Sequence, residues 1–288
     1  MYKFDPKGDP IESCFRAIAV DQLDEALADL DAPEGGGRSV VHEARRRCKK
    51  LRGLLRLVRP AFPDFARENA AIRDAAGLLS HLRDAEVLRQ TVSDLGKAQR
   101  SEAIKRIGER LAAEPVEDAP ADKLAEFRAQ LAAVRARAAN WSLSKSGLSA
   151  LLPGLRRTYR DDRRGMVEAL RSGDPLVFHD WRKANKNHGF HVDLLKKTAP
   201  EMLGADLPVI EKLSDLLGGH HDLTVLKATM AATPERFGDS ADLAALEEAI
   251  GLRRAEIETQ AFELARQVLA ERPRALVKRF SRYWKTAA

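Results

Sequence analysis

The chain has 288 residues, of which 44% are hydrophobic, and its 49 Lys and Arg outnumber 43 Asp and Glu to leave a net charge of +6. This composition excludes a disordered chain, allows a sizeable buried core and favours acidic partners. Two cysteines are too few for a disulfide framework, and no apolar run reaches the roughly 18 residues that span a bilayer. We expect no signal peptide, because Glu12 and Arg16 interrupt the apolar stretch that begins at Ile11. These features predict a cytoplasmic protein without membrane contact.

Helical periodicity runs through almost every segment between Gly and Pro breakers. Alternating runs of Val, Ile and Thr are absent, so we predict an all-α fold. In chain order, the predicted helices cover residues 11–30, 38–59, 63–93 with a kink near Gly77, 98–114, 121–140, 147–172, 174–198, 205–232, 240–270 and 273–285. Ser39 is an expected N-cap of the second helix. The glycines of 31–37 and the prolines of 114–120 predict connecting loops.

One basic helix occurs twice in the chain. The first copy reads VHEARRRCKKLR over residues 41–52, and the second reads FHDWRKANKN over residues 178–187. Each has a His, then an acid, then basic residues at helical spacing, and His179 follows His42 by 137 residues. A duplicated basic helix indicates one extended anion shared between two halves of the protein.

A shorter echo follows each basic helix. It covers residues 78–88 and 216–226, so its offset is 138 residues. Two elements repeated in the same order at nearly the same spacing predict a duplicated unit. We therefore predict two pseudo-symmetric bundles of about four helices each, over 10–145 and 146–288, which together form one domain over 10–288.

The cations of the first basic helix share one side of its axis. At 100° per residue, a single sector holds His42, Arg45, Arg46, Lys49, Lys50, Arg52 and Arg56. The opposite side is an apolar stripe of Ala44, Cys48, Leu51, Leu54, Leu55 and Val58. Like charges at this spacing repel one another, so the face needs a counter-anion, and Arg and Lys both suit phosphate oxygens.

The second basic helix repeats this arrangement with fewer cations. The same sector holds His179, Arg182, Lys183 and Lys186. Its apolar side holds Trp181, Val192 and Leu195, and also His188 and His191, which we expect to be packed histidines and not ligand groups.

The two basic helices resemble the signature helices of the CHAD family, the conserved histidine α-helical domain. The resemblance extends from about Ile11 to Trp284 and includes Leu155–Tyr159 and both echoes, and the order and spacing of these motifs make it specific. It implies two pseudo-symmetric helical bundles around a basic central cavity or pore that binds inorganic polyphosphate. It also implies a stand-alone, non-catalytic binding or granule-targeting module without a cofactor or a metal, in which phosphate or sulfate can mimic the ligand.

The resemblance assigns polyphosphate binding to both basic helices. The implied contacts are His42, Arg45, Arg46, Lys49, Lys50, Arg52, Arg56, His179, Arg182, Lys183 and Lys186. Secondary contacts are expected at Arg16, Arg156, Arg157, Arg160, Arg164 and Arg282. In the second helix Asn187 replaces Lys50 and Gly189 replaces Arg52, while Phe190 stands where an aromatic residue with a hydroxyl often occurs. We therefore expect the first half to carry more of the affinity.

Two other functions remain as alternatives. His179–Asp180 and His220–Asp222 are ligand types that a metal-dependent phosphohydrolase of the helical His-Asp kind would use, although only Asp84 and Asp222 recur between the halves. A non-specific nucleic-acid binding protein would also use cations, but no aromatic residues interleave with the first basic face to stack bases. Nucleic acid is therefore not the partner that we expect.

Overall fold

The computed structural model of the protein describes residues 2–31, 37–115 and 120–288, with the side chains of 31, 37–40 and 80–84 left out. The described residues form eleven α-helices, two single 3₁₀ turns and no strand, which confirms the predicted all-α class. The helices are α1 (Ile11–Asp31), α2 (Gly37–Val58), α3 (Phe65–Gly77), α4 (Ser80–Gln99), α5 (Glu102–Ala113), α6 (Ala121–Ala138), α7 (Leu148–Ser172), α8 (Pro175–Leu195), α9 (Pro200–Ala232), α10 (Ser240–Val268) and α11 (Pro273–Ala287). Among these helices, none is long and apolar enough to cross a membrane.

The largest difference from the predicted helices lies around Gly77. The kink expected within 63–93 is a complete break, because α3 ends at Gly77 and α4 begins three residues later at Ser80. α4 then continues to Gln99, where Arg100 adopts the left-handed conformation with φ 50° and ends the helix. Residues 32–36 of the loop predicted at 31–37 and residues 116–119 of the connector predicted at 114–120 lie outside the described residues. α2 begins at Gly37, so Ser39 lies within the helix and not at its N-cap.

Buried apolar side chains form two clusters, and each cluster draws on both halves of the sequence. The central cluster is built on α1, α2, α3, α6, α7, α8 and α11, with the first half of α9 and the end of α10. The peripheral cluster combines α4 and α5 with the second half of α9 and the start of α10. Leu88 and Leu226, which hold matching positions in the two echoes, both lie in the peripheral cluster. The two halves therefore pack into each other and share their cores.

α7 crosses the C-terminal end of α2 at very close range. A Cβ atom on Gly154 of α7 would lie 1.8 Å from the carbonyl oxygen of Leu57. Only glycine leaves room for this backbone contact. The crossing holds the end of α2 against the second half of the chain.

Candidate anion-binding site

The two sides of α2 differ in burial as the helical pattern predicts. The apolar stripe of Ala44, Cys48, Leu51, Leu54, Leu55 and Val58 is at most 2% exposed. On the opposite side, His42, Arg46 and Lys49 are exposed, whereas Arg45, Lys50, Arg52 and Arg56 are half-buried. The basic face therefore becomes progressively more enclosed toward the C-terminal end of the helix.

Backbone and side-chain oxygens orient several of these cations. Arg45 donates a hydrogen bond to the carbonyl oxygen of Ala76 at the end of α3. Arg52 Nε donates to Asn69 Oδ1 at 3.2 Å. Arg46 forms an ion pair with Glu43, one turn earlier on the same helix. In these hydrogen bonds the guanidiniums of Arg45 and Arg52 are each oriented by a neutral oxygen.

A row of arginines continues the basic face to the end of α2. Arg56 donates to the carbonyl oxygen of Arg52 at 3.2 Å. Burial, followed by the charges of Arg52 and Arg59, lowers the pKa of Arg56 to about 10. The pKa of Arg59 is lowered by burial and then by Arg157 of α7. Mutual repulsion of this kind marks a place where an anion would be stabilised. Arg59 is not among the predicted contacts, although it continues the i+3, i+4 spacing of Arg52 and Arg56.

α8 carries exposed lysines and one half-buried histidine on its basic side. Lys183 pairs with Asp180 at 3.0 Å, and the exposed Lys186 places Nζ 5.9 Å from the centre of the Phe190 ring. The His179 ring lies 4.2 Å from that of His221. Burial, followed by His221 and Lys183, lowers the pKa of His179 to about 4. At neutral pH the unliganded protein therefore holds this histidine uncharged.

The second echo borders the basic side of α8, a role that the sequence analysis did not predict. His221 packs against His179, and Gly218 lies beside Arg182, since a Cβ atom there would be 3.7 Å from Arg182 Nε. The only sequence signal for this contact is the fixed distance between the basic helix and its echo. The corresponding side chains of the first echo, from Ser80 to Asp84, lie outside the described set.

A buried polar network fixes the back of α8. Asp162 of α7 accepts hydrogen bonds from Trp181 Nε1 at 2.9 Å and Asn185 Nδ2 at 3.3 Å, and it lies 3.2 Å from His188 Nδ1. Asp162 is completely buried. Its neighbour Asp161, in contrast, lies close to the exposed arginines Arg157 and Arg160 and balances part of their charge. His188 is a packed histidine, as expected. Because three residues of α8 bind one carboxylate, the rotation of the helix about its axis is restricted.

α2 and α8 touch at one close contact, and that contact lies on both basic faces. A Cβ atom on Gly53 would lie 2.8 Å from Cβ and Cδ2 of Phe190. Gly53 is about 20° around the axis from His42, and Phe190 is about 20° from His179. His191 Nε2, next to Phe190, donates to the carbonyl oxygen of Gly53 at 3.1 Å. Burial lowers the pKa of His191 to about 3, so this histidine is a neutral packing group, as predicted.

The secondary cations are spread over three helices. Arg16 on α1 pairs with Glu12 at 2.6 Å and donates to the carbonyl oxygen of Trp141. On α7, Arg156 is exposed, Arg157 and Arg160 lie near Asp161, and Arg164 pairs with Glu168 at 3.3 Å. Arg282 is exposed on α11. Of these residues, Arg157 is the one whose charge reaches the row of arginines on α2.

The histidines that suggested a metal site have other contacts. His220 Nε2 lies 3.0 Å from both Glu258 Oε1 and Arg254 Nε, and its ring stacks on Phe178. Within the part of the chain that the structure describes, no group of three or more His, Cys, Asp or Glu side chains is arranged to hold a metal ion.

These features define an all-α protein in which the two basic helices, α2 and α8, contact each other at Gly53 and Phe190. The family model of the CHAD domain matches residues 21–231, which is most of the chain, and the protein belongs to this family. The family is associated with polyphosphate binding. No curated protein matches the chain.

Proposed function

We propose that the protein binds inorganic polyphosphate, without a catalytic step, in a groove between the basic faces of α2 and α8. The contact between Gly53 and Phe190 is the observation that carries this proposal. Because both residues lie in the middle of the basic sectors, the two charged faces turn toward each other at the crossing. One anion lying there is within reach of both helices.

The burial of α2 and α8 indicates which side of the crossing holds the ligand. Before the crossing, His42, Lys49, Lys183 and Lys186 are exposed or half-buried. Beyond it, Arg56 is half-buried, and apolar residues such as Leu54 and Leu194 are buried. The groove therefore opens toward the N-terminal ends of α2 and α8, where the two copies of the His-acid-basic motif lie.

The chemistry of the groove suits a chain of phosphates. Arg45, Arg52 and Arg182 offer planar forks for non-bridging oxygens, and Lys49 and Lys186 offer point charges. A polyanion beside His179 favours its protonated form, which then donates from both ring nitrogens. The ligand also neutralises the half-buried charge of Arg56, whose pKa is lowered in its absence.

The wider organisation that we propose is a duplicated protein. Residues 10–145 and 146–288 form two pseudo-symmetric units around a basic cavity or pore, with more of the affinity in the first unit because Lys50 and Arg52 have no cationic counterparts in the second. In this proposal the protein is a cytoplasmic binding or granule-targeting module.

Charge reversal on α2 tests the site. Arg46→Glu combined with Lys49→Glu is expected to lower polyphosphate affinity at least about 100-fold, since two attractive contacts become repulsive. Both side chains are exposed, so the helical content and the melting temperature should stay close to those of the wild type. Affinity is measured by titration with polyphosphates of defined length, at one fixed salt concentration.

The matched control is Arg110→Glu with Arg274→Glu, which changes the net charge equally. These exposed residues lie on α5, which packs on α4 and α10, and on α11, which packs on α7. Wild-type affinity in the α2 variant, or equal losses in both variants, would contradict the site. Displacement of polyphosphate by DNA at equal phosphate concentration would favour the nucleic-acid alternative. Metal-dependent release of phosphate from polyphosphate or nucleotides would favour the hydrolase.

A further inference from the structure

A cavity of about 380 Å³ lies between α8, α9, α11 and the end of α10. It is on the opposite side of α8 from the proposed polyphosphate groove, because His188, which lines it, is about 180° around the helix axis from His179. Its apolar walls are Val192, Val209, Ile210, Val268, Leu276 and Phe280. The volume lies within the range of small-molecule sites, which combine apolar walls with a few convergent polar groups.

In the first half of the chain, a buried carboxylate and an arginine form an ion pair between α3 and α6. Glu68 of α3 is completely buried and accepts two hydrogen bonds from Arg137 of α6, at 2.9 and 2.8 Å. The residue 138 positions later, at the offset of the echo, is Asp206 of α9. Asp206 is one methylene shorter and lies 3.4 Å from Arg279 of α11, with 46% of its side chain exposed. Asp206 is thus more exposed than Glu68, and it lines the cavity.

The mouth of the cavity carries an excess negative charge. Arg279 lies between two carboxylates, those of Asp206 and Glu271, and its closest oxygen is Glu271 Oε2 at 3.1 Å. The charged groups that line the cavity are therefore two carboxylates and one guanidinium, and Arg163 lies outside this lining. The carbonyl oxygen of Glu271 also accepts hydrogen bonds from Tyr159 Oη, at 3.0 Å, and from Arg163. Glu271 is therefore on an anchored segment, so its carboxylate is held in place before any ligand arrives.

We propose that this cavity binds a small primary amine with an apolar body. The ammonium group lies at Asp206 and Glu271, where it completes the charge balance, and the hydrocarbon part packs on Ile210 and Phe280. An anion of the same shape is rejected because both carboxylates repel it. The site is independent of the proposed polyphosphate groove, since its charge has the opposite sign and it faces the other side of α8.

Calorimetric titration with 2-phenylethylamine tests this site, with 3-phenylpropionate as a probe of similar body and opposite charge. The amine is expected to bind to the full-length protein with a Kd below about 10 mM, and the carboxylate is expected not to bind. Asp206→Asn keeps the shape of the side chain but removes its charge, and it should weaken amine binding about tenfold. Asp215→Asn, an exposed position on the same helix that does not line the cavity, is the matched control and should bind as the wild type does.

Val209→Arg tests the same site from its apolar wall, because it puts a cation in the place of the ligand. Val209 is 38% exposed, so the variant is expected to fold, and thermal melting verifies this for each variant. Amine binding should be lost. The proposal is overturned by equal affinity in Asp206→Asn and Asp215→Asn, by binding of 3-phenylpropionate as tight as that of the amine, or by no binding of the amine up to about 10 mM.

Discussion

At the scale of single residues, the histidines of α8 have separate roles that their sequence spacing only partly indicates. The helical pattern places His188 and His191 on the apolar side, and both are buried. It does not indicate their partners, because Asp162 and Gly53 belong to other helices. Burial lowers the pKa of His191 to about 3, so this residue makes the stability of the fold sensitive to acid.

His191 provides a prediction for this acid sensitivity. Its folded-state pKa of about 3 is below its ordinary value of 6.5, so below pH 6.5 the unfolded chain binds a proton that the folded protein does not. Stability contributed by the neutral ring is complete above pH 6.5 and falls as the pH decreases, by about 2 kcal/mol between pH 6.5 and 5. Denaturant unfolding of His191→Leu should therefore show a smaller loss in the free energy of unfolding between pH 6.5 and 5 than the wild type does.

Measurement at pH 8 provides the control, since His191 is neutral there in both states. The difference between wild type and His191→Leu at pH 8 reports the lost hydrogen bond to Gly53 and the altered packing. If the variant lost as much stability between pH 6.5 and 5 as the wild type, His191 would not be a neutral buried group.

At the scale of helices, close crossings decide how the charged faces are presented. The predicted helices on either side of Gly53 and Phe190 are present, yet the contact between them joins residues 137 positions apart. Helical periodicity describes each helix about its own axis. It does not say which point on one helix meets which point on another.

Gly53→Ala tests the crossing of α2 and α8. The new methyl group would lie 2.8 Å from the Cβ atom of Phe190, so the helices must move apart, at an expected cost of about 1–3 kcal/mol in the free energy of unfolding. Polyphosphate affinity should fall as well, because the two basic faces separate. Gly251→Ala, inside α10 and with no atom within 4 Å of its added Cβ, is the control and should leave binding unchanged. Unchanged stability and affinity in Gly53→Ala would show that the crossing does not position the groove.

At the scale of the whole molecule, the two halves of the sequence do not fold as separate cores. The central cluster and the peripheral cluster each contain residues from before and after 145. The proposed groove also combines both halves, since α2 of the first half forms one wall and α8 of the second half forms the other. Binding one anion would therefore link both halves of the chain.

The salt dependence of binding tests whether both faces hold a single chain. Lys183→Glu with Lys186→Glu should reduce the slope of log affinity against log salt by roughly 1.4, which corresponds to two lost phosphate contacts. The number of bound chains per protein should remain the same. Fewer bound chains with an unchanged slope would mean that α2 and α8 bind separate anions. Arg110→Glu with Arg274→Glu again serves as the charge-matched control.

The sequence by itself determined the all-α class, the positions of most helices and the sidedness of α2 and α8. These properties follow from the 100° step of the helix, which sorts cations from apolar residues along one continuous segment. Only the tertiary structure decided that the two basic helices meet at Gly53 and Phe190, that Asp162 is buried, and that Asp206 lines a cavity whereas Glu68 is completely buried. Each of these depends on contacts between residues on different helices, and on differences of a single methylene that periodicity does not record.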